Sequence, residues 1–397
     1  MSRTPDGDAC VVFDDSLTQY DFGPAHPMAP ARIDLTMRLA RALGVVGEGG
    51  LREVPVPEPD DRWLGLVHDP GYIDCVRRAG ADPDQHNLAR GLGSDDNPTF
   101  KGMHEAGARV VAATVEATRR VWSGQMRRAA SPAGGLHHAM PGTASGFCVY
   151  NDIAVGIAWL LDQGAQRVAY VDVDVHHGDG VQEIFYDDPR VLTVSLHETP
   201  QTLFPGTGAP SETGGSAAPG SAVNVALPPG TDDGGWLRAF HAVVPDVLRA
   251  FEPDILVTQH GCDSHRVDPL AHLMLSVDGQ RASYLALAGL AREITGGRWV
   301  ATGGGGYAIA DVVPRAWTHL LAVVDGRPLD PSTPTPQAWR DLVEQVVGRP
   351  GPATMTDGND PVFRPWSEGY DPGSWLDRSI LATRTAAFPL LGLDPHY

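Results

Sequence analysis

The stretch that decides the fold is Val168–Gly180, which reads VAYVDVDVHHGDG. Its first half is rich in apolar and β-branched residues, and its second half turns abruptly polar. This pattern predicts a buried strand over Val168–Val175, of the kind found in parallel sheets. Because a buried strand cannot carry uncompensated carboxylates, Asp172 and Asp174 must be paired, hydrogen-bonded or bound to a metal ion.

A metal site is the preferred interpretation of these carboxylates. Side chains alternate between the faces of a strand, so Asp172, Asp174 and His176 fall on one face, which favours an ion held by Asp174 and His176 over a hydrogen-bonded network. Asp263 follows another apolar strand predicted at Ile255–Gln259. Taken alone it could equally be a helix N-cap, but it would complete a three-ligand set.

Short apolar runs alternate with amphipathic stretches along the rest of the chain. Further strands are predicted at Val11–Phe13, Val191–Leu196, Ala222–Leu227 and Trp299–Thr302. Helices are predicted at Arg32–Leu43, His104–Trp122, Ile153–Leu161, Trp236–Phe251, Gln280–Ile294 and Trp339–Val347. This alternation predicts an α/β layered fold, in which ligands bind beyond the carboxyl ends of the strands.

Two more polar clusters follow predicted strands or turns. The adjacent His137 and His138 are, alone, more often structural than catalytic, but Asp172 and Asp179 could fix their tautomers. The glycines of residues 303–306 lack the lysine and hydroxyl residue of a phosphate loop, and indicate a tight turn that presents Tyr307. No Gly-x-Ser-x-Gly motif is present, which favours metal-activated water over a serine nucleophile.

The composition describes a globular protein with an acidic surface. Of the 397 residues, 42% are hydrophobic, and 30 basic residues face 49 acidic ones, for a net charge of −19. This charge disfavours nucleic-acid binding and favours cationic substrates such as lysine-bearing peptides. No apolar run approaches the length of a membrane helix, so we expect no membrane association.

Cysteine usage and the two ends of the chain lead to further expectations. The 4 cysteines form no Cys-x-x-Cys pair, and residues 1–10 show no secretory signal, so we expect reduced thiols and a cytoplasmic protein. From about Pro328 onward prolines punctuate the chain. We therefore predict a domain over residues 1–327 and a C-terminal extension, residues 328–397, that packs on it.

Several motifs carry a resemblance when taken in order. They are His137-His138-Ala139, Ser145-Gly146-Phe147-Cys148, the Asp172–Gly180 run, Phe204-Pro205-Gly206-Thr207-Gly208, Asp268-Pro269-Leu270 and the glycine run ending at Tyr307. Over roughly residues 11–321 the chain resembles the metal-dependent histone deacetylase family. His26-Pro27-Met28 and Arg32 are most similar to the bacterial acetoin-utilisation deacetylases. The resemblance implies the open three-layer arginase/deacetylase fold, with a single, mostly parallel sheet of about eight strands.

The resemblance also implies a role for each matching residue. Zn²⁺, with Fe²⁺ as the alternative, would bind Asp174, His176 and Asp263. Catalysis would use His137 and His138, supported by Asp172 and Asp179, together with Tyr307. The substrate would contact Asp96, for which Asp95 is a rival, and Gly146, Phe147, Phe204 and Leu270. Arg32 would lie on the acetate exit side, and K⁺ or Na⁺ would bind near Asp172, Asp174, His176, Ser195 and Leu196.

The implied activity is removal of acetyl or short acyl groups from protein lysine side chains, for which an acyl-CoA synthetase is a candidate substrate. A polyamine deacetylase is the alternative, although Leu270 offers no acid for a second ammonium group. A two-metal ureohydrolase would need an aspartate at Gly178. A silent acetyl-lysine-binding scaffold predicts at least one substituted position among the ligands, the histidine pair and Tyr307, and all of these are intact. Leu203, Cys262 and His265 depart from the commonest deacetylase pattern. We expect His265 to be a rim residue near the substrate entrance, with one catalytic ion per chain and an oligomer permitted.

Overall fold

Eight parallel strands form a single sheet in the computed structural model, which describes residues 8–396. The strands are β1 (Ala9–Val12), β2 (Arg52–Val54), β3 (Arg128–Ser131), β4 (Val168–Asp172), β5 (Val191–Glu198), β6 (Ala222–Leu227), β7 (Ile255–Gln259) and β8 (Trp299–Thr302). Their order across the sheet is β2-β1-β3-β8-β7-β4-β5-β6. Because all pairs are parallel, the carboxyl ends of the central strands β4, β7 and β8 lie side by side.

Eleven α-helices in residues 8–396 surround this sheet. They are α1 (Ala31–Ala42), α2 (Asp61–Leu64), α3 (Pro70–Ala81), α4 (Met103–Trp122), α5 (Asp152–Asp162), α6 (Asp179–Phe185), α7 (Asp233–Phe251), α8 (Val277–Ile294), α9 (Val313–Asp325), α10 (Gln337–Val347) and α11 (Trp375–Ala387). Helices α7, α8, α9 and α1 pack in succession, and α3, α4 and α5 form a second group. The predicted α/β fold with a single parallel sheet is confirmed.

Side-chain caps fix where the helices near the site begin. The side chain of Asn151 accepts a hydrogen bond from Ala154 N–H at 2.9 Å at the start of α5. Ser276 Oγ accepts from Gly279 N–H at 3.1 Å at the start of α8. Such caps satisfy N–H groups that have no partner within the helix, so each loop from the sheet enters its helix at a fixed residue.

The strand predicted over Val168–Val175 is shorter than expected, because β4 ends at Asp172. Beyond it, Asp172 Oδ1 accepts from Asp174 N–H at 3.1 Å, and Asp174 Oδ1 accepts from His176 N–H at 3.0 Å. Aspartate side chains that bond the backbone two residues later compete with strand pairing. The strict alternation predicted for Asp172, Asp174 and His176 is therefore wrong, although the side chains still converge.

The C-terminal extension contacts several elements of the sheet and its helices. Trp339 of α10 donates its indole N–H to Leu35 O of α1 at 3.0 Å. Thr383 of α11 donates to Asn224 O of β6 at 2.6 Å. Arg238 of α7 forms a buried ion pair with Asp377 of α11 at 2.8 Å. The boundary predicted at residues 327 and 328 stays a prediction.

All four cysteines are free: Cys10, Cys75, Cys148 and Cys262. No helix within residues 8–396 is long and apolar enough to cross a membrane. The expectation that no secretory signal is present concerns residues 1–10, of which residues 1–7 lie outside the described part of the chain.

We expect Asp377→Ala to lower the free energy of unfolding by about 3 kcal/mol, because it leaves the Arg238 charge buried without its ionic partner. Urea denaturation monitored by circular dichroism measures this loss. Arg38→Ala is the control, since it breaks an exposed pair with Asp34 and should change stability by less than about 1 kcal/mol. Equal losses in the two variants would contradict the anchoring role of Asp377.

Candidate active site

Three buried side chains meet where β4 and β7 end. His176 Nδ1 lies 3.2 Å from Asp174 Oδ1 and 3.1 Å from Asp263 Oδ2. One candidate ligand atom from each residue lies within 4.8 Å of the others. In residues 8–396 no other group of three histidine, cysteine or acidic side chains meets this criterion. The arrangement brings together the three residues predicted as metal ligands.

The chemistry of this donor set fits a transition metal ion. Burial and the neighbouring Asp174 raise the pKa of Asp263 to about 7. Although burial opposes it, the hydrogen bonds to Asp174 and Asp263 raise the pKa of His176 to about 10. Two carboxylates this close repel each other in a buried site unless a cation lies between them. Two oxygen donors and one imidazole nitrogen suit Zn²⁺ or Fe²⁺ and leave further coordination positions open.

Neighbouring groups orient the ligand carboxylates. Gln259 Nε2 donates to Asp174 Oδ2 at 2.7 Å, and Gly305 N–H donates to the same oxygen at 2.8 Å. Val175 N–H donates to Asp263 Oδ1 at 3.0 Å. A Cβ at Gly305 would lie 2.0 Å from Asp263 Oδ2, so this backbone approach requires glycine. Gln259 was not among the predicted site residues, because the sequence around it indicated only the end of a strand.

The adjacent histidines each face a separate carboxylate. His137 Nδ1 lies 2.7 Å from Asp172 Oδ2, and His138 Nδ1 lies 2.6 Å from Asp179 Oδ1. Because an ionised carboxylate only accepts hydrogen bonds, each Nδ1 carries a hydrogen. Tyr170 also donates to Asp172 Oδ2, at 2.5 Å, and was not predicted as a site residue.

The two histidines are electrostatically different. Although burial opposes it, the carboxylates of Asp172 and Asp174 raise the pKa of His137 to about 9. Burial and the neighbouring His137 lower the pKa of His138 to about 4. The ring centroids are 4.0 Å apart, so a positive charge on one ring disfavours a charge on the other. The pair therefore holds one proton acceptor and one proton donor side by side.

A channel leads from the protein surface to these residues. It has a volume of about 210 Å³ and is lined by Asp96, His138, Gly146, Phe147, His176, Leu203, Phe204, Leu270 and Tyr307. The Phe147 and Tyr307 rings meet edge to face at 5.6 Å, and Phe204 packs against His138 at 5.1 Å. All predicted substrate-binding residues line this channel, and Asp96 does so rather than its rival Asp95.

Arg32 lies on the inner side of the site. Its guanidinium donates to Gly304 O at 3.0 Å and to Gly306 O at 3.1 Å. It lines a small cavity of about 20 Å³ together with Met28, which also lines the space around the histidines. This location is compatible with the predicted exit side for a small product, which stays a prediction.

The residues predicted for a monovalent cation lie along β4, β5 and the turn after β4. Asp172 pairs with Ser195 in the strand register, and Leu196 follows in β5. Ser195 Oγ lies 2.8 Å from His197 Nδ1. The cation site involving these residues, Asp174 and His176 stays a prediction.

The expectation that His265 is a rim residue is wrong. Its side chain is only 3% exposed, and Nε2 lies 2.7 Å from Asp357 Oδ2 in the C-terminal extension. An interaction across 92 positions leaves no local sequence signal. At Gly178, a Cβ would lie 2.2 Å from Asp172 Oδ2, so the structure has no room for the aspartate that a two-metal ureohydrolase places there.

Comparisons with known proteins define the class. The family model for the histone deacetylase domain matches residues 26–324, and the chain belongs to this family. It is therefore a deacetylase of the histone deacetylase type, and the resemblance drawn from the motifs is confirmed.

Individual relatives are similar to this chain over most of its length. The chain is 40% identical to the acetoin utilization protein AcuC of Bacillus subtilis (strain 168) over 331 residues, covering 83% of this chain and 84% of the relative. It is 37% identical to AcuC of Staphylococcus xylosus over 326 residues, covering 81% and 84% of the two chains.

Solved structures of related proteins share the fold. An HDAC homologue complexed with SAHA superposes with a TM-score of 0.82 at 27% identity, over 95% of this chain and 100% of the other. The HDAC homologue from Aquifex aeolicus superposes with a TM-score of 0.81 at 27% identity, with the same coverage. The predicted arginase/deacetylase fold is thereby confirmed.

We expect Asp174→Ala, His176→Ala and Asp263→Ala each to lose bound metal, because two ligands hold an ion far more weakly than three. Elemental analysis after dialysis measures the metal content per chain. Titration of the metal-free wild type should reach full activity at one equivalent. Full occupancy in any variant, or saturation only at two equivalents, would contradict the single three-ligand site.

Proposed function

We propose that this chain hydrolyses acetyl or short acyl groups from the lysine side chains of proteins. The proposal rests above all on the two histidine–carboxylate pairs, 2.7 Å and 2.6 Å long, beside the three candidate metal ligands. A metal ion held beside a proton acceptor and a proton donor would provide the activated water and the two proton transfers that hydrolysis of an amide needs.

Asp174, His176 and Asp263 would hold the ion. A bound Zn²⁺ or Fe²⁺ would supply Lewis acidity and make water a nucleophile near neutral pH. His138, which is unprotonated at neutral pH, takes the proton of the attacking water at Nε2, because its Nδ1 is engaged by Asp179. His137, which is protonated, returns a proton to the leaving amine. General acid–base catalysis of this kind contributes about 10²- to 10⁴-fold.

Tyr307 stabilises the developing oxyanion. Burial, with Asp263 nearby, raises the pKa of its hydroxyl well above the ordinary range, so the group keeps its proton and donates a hydrogen bond. Its main-chain N–H donates to Asp268 Oδ2 at 2.7 Å, which fixes the residue within the loop between β8 and α9. Loss of one such donor typically costs about 10²- to 10³-fold in kcat.

The shape of the channel supports acyl-lysine as the substrate. Aromatic walls at Phe147 and Phe204 suit an uncharged methylene stem, and Asp96 lies at the same cavity, where it can accept from substrate backbone N–H groups. Leu270, also on this lining, offers no carboxylate for the second ammonium group of a polyamine. These features favour an acetylated protein over a free acetylpolyamine.

The proposal also covers the protein substrates of the enzyme and a structural cation. Its substrates would be acetylated cytoplasmic proteins, among which an acyl-CoA synthetase is a candidate. A structural K⁺ or Na⁺ near Asp172, Asp174, His176, Ser195 and Leu196 would offset the carboxylate charge behind the site.

We expect Tyr307→Phe to lower kcat about 10²- to 10³-fold with little change in KM, because the hydroxyl acts mainly in the transition state. Steady-state kinetics on a fluorogenic acetyl-lysine peptide measure both constants. Tyr370→Phe, at a surface tyrosine of the extension, is the matched control and should retain wild-type kinetics. A kcat for Tyr307→Phe within about threefold of wild type would remove Tyr307 from the mechanism.

We expect the kcat/KM for an acetyl-lysine peptide to exceed that for acetylspermidine, and Leu270→Glu to shift the ratio toward acetylspermidine by placing a carboxylate at the channel. Leu270→Gln is the matched control, because glutamine has nearly the same shape as glutamate but carries no charge. Competition between the two substrates, followed by mass spectrometry, gives the ratio directly. A wild-type preference for acetylspermidine would make the polyamine deacetylase the better assignment.

A further inference from the structure

Residues 354–359 of the C-terminal extension, here called the anchor segment, pack against α8, α9 and the turn that carries Asp263. Met355 is fully buried, and its carbonyl oxygen lies 3.0 Å from His319 Nε2 of α9. The Asp278 carboxylate in the first turn of α8 accepts from Asp357 N–H at 3.0 Å and from Asn359 N–H at 3.1 Å. The anchor segment is therefore fixed at several points.

The Asp357 carboxylate joins this segment to three separate elements. It accepts hydrogen bonds from Arg315 of α9 at 2.8 Å, from Val277 N–H at the start of α8 at 3.0 Å, and from His265 Nε2 at 2.7 Å. Although burial opposes it, the hydrogen bonds from His265 and Val277 and the charge of Arg315 hold the pKa of Asp357 well below its ordinary value. A buried carboxylate with this many donors has one preferred position.

The His265 ring is fixed at both nitrogens. Val267 N–H donates to Nδ1 at 3.2 Å, so the ring hydrogen is on Nε2 and points at Asp357. Because both nitrogens are engaged, the ring has no lone pair available for a metal ion. His265 is thus a connector between the turn and the anchor segment.

Two hydrogen bonds, both through Asp268, connect His265 to Tyr307. Asp268 N–H donates to His265 O at 2.8 Å, and Asp268 Oδ2 accepts from Tyr307 N–H at 2.7 Å. A third bond, from Cys262 N–H to Gly305 O at 2.8 Å, joins the start of the turn to the loop that leads to Tyr307. A path of hydrogen bonds from Asp357 to Tyr307 therefore passes through His265 and Asp268.

We propose that Asp357 and His265 are positioning residues that hold Tyr307 in place for turnover, so that the C-terminal extension completes the active site. The inference rests on the role of Tyr307 in the proposed function. It assigns a task to the extension, which lies beyond the matched deacetylase domain at residues 26–324.

A double-mutant cycle on the metal-loaded enzyme tests this inference. We expect His265→Ala to lower kcat roughly tenfold with KM within about twofold and metal content unchanged. His265→Gln, which keeps a donor near the position of Nε2, should restore most of kcat. In the Tyr307→Phe background His265→Ala should cost almost nothing further, because the hydroxyl that it positions is already absent.

Asp357→Asn should reproduce the kinetic effect of His265→Ala, since the amide cannot accept all of the present hydrogen bonds. Asp377→Asn is the matched control: it also weakens a buried anchor of the extension, but its partner Arg238 lies on α7, outside the turn and the loop that carry His265 and Tyr307. It should lower stability and leave kcat unchanged. Full additivity of His265→Ala and Tyr307→Phe, or an equal loss of kcat in Asp377→Asn, would overturn the inference.

A readout that does not need deacetylase activity separates this inference from the proposed function. The protein is labelled with 3-fluorotyrosine, and the Tyr307 resonance is identified by its absence in Tyr307→Phe. We expect His265→Ala and Asp357→Asn to shift or broaden this fluorine signal, and Asp377→Asn to leave it unchanged. An unchanged signal in the first two variants overturns the inference, whereas a shifted signal in a protein that fails to cleave the acetyl-lysine peptide overturns only the proposed function.

Discussion

The burial of like charge where β4 and β7 end is the constraint on which the site depends. Asp172, Asp174 and Asp263 are all at most 1% exposed. Removing a carboxylate from water costs several kcal/mol, and placing three together adds mutual repulsion. The surrounding structure offsets this cost with main-chain N–H groups, with Tyr170 and Gln259, and with two imidazoles. The same compensation orients each carboxylate, so stability and catalytic geometry have one physical source.

Several strands with a strong apolar pattern were predictable from the sequence, and two strands formed by context were not. Strands β6, β7 and β8 have the predicted bounds, because their runs are apolar and fully buried. The missed strand β2, Arg52–Val54, lies at the edge of the sheet and is mostly polar, and the missed strand β3, Arg128–Ser131, has no β-branched residue. In both strands, pairing with β1 outweighs the weak preference of the residues for strand structure.

The candidate site was predictable to the extent that its residues follow strands or form short motifs. His137, His138, Tyr307 and the ligand set come together as expected, since the carboxyl ends of parallel strands share one edge. Gln259 and Asp268 act through bonds to backbone or to a ligand, which no spacing reveals. The true environment of His265 depends on Asp357, which becomes its neighbour only through the fold of the extension.

The separation of 92 residues between His265 and Asp357 has a consequence for the order of folding. During synthesis the turn that carries Asp263 leaves the ribosome long before its partner in residues 354–359 exists. Until then, its buried polar groups lack the acceptor that they have in the native state, and contacts of such sequence separation form late. Nascent chains that end before residue 354 therefore lack the acceptor that fixes His265 in the finished turn.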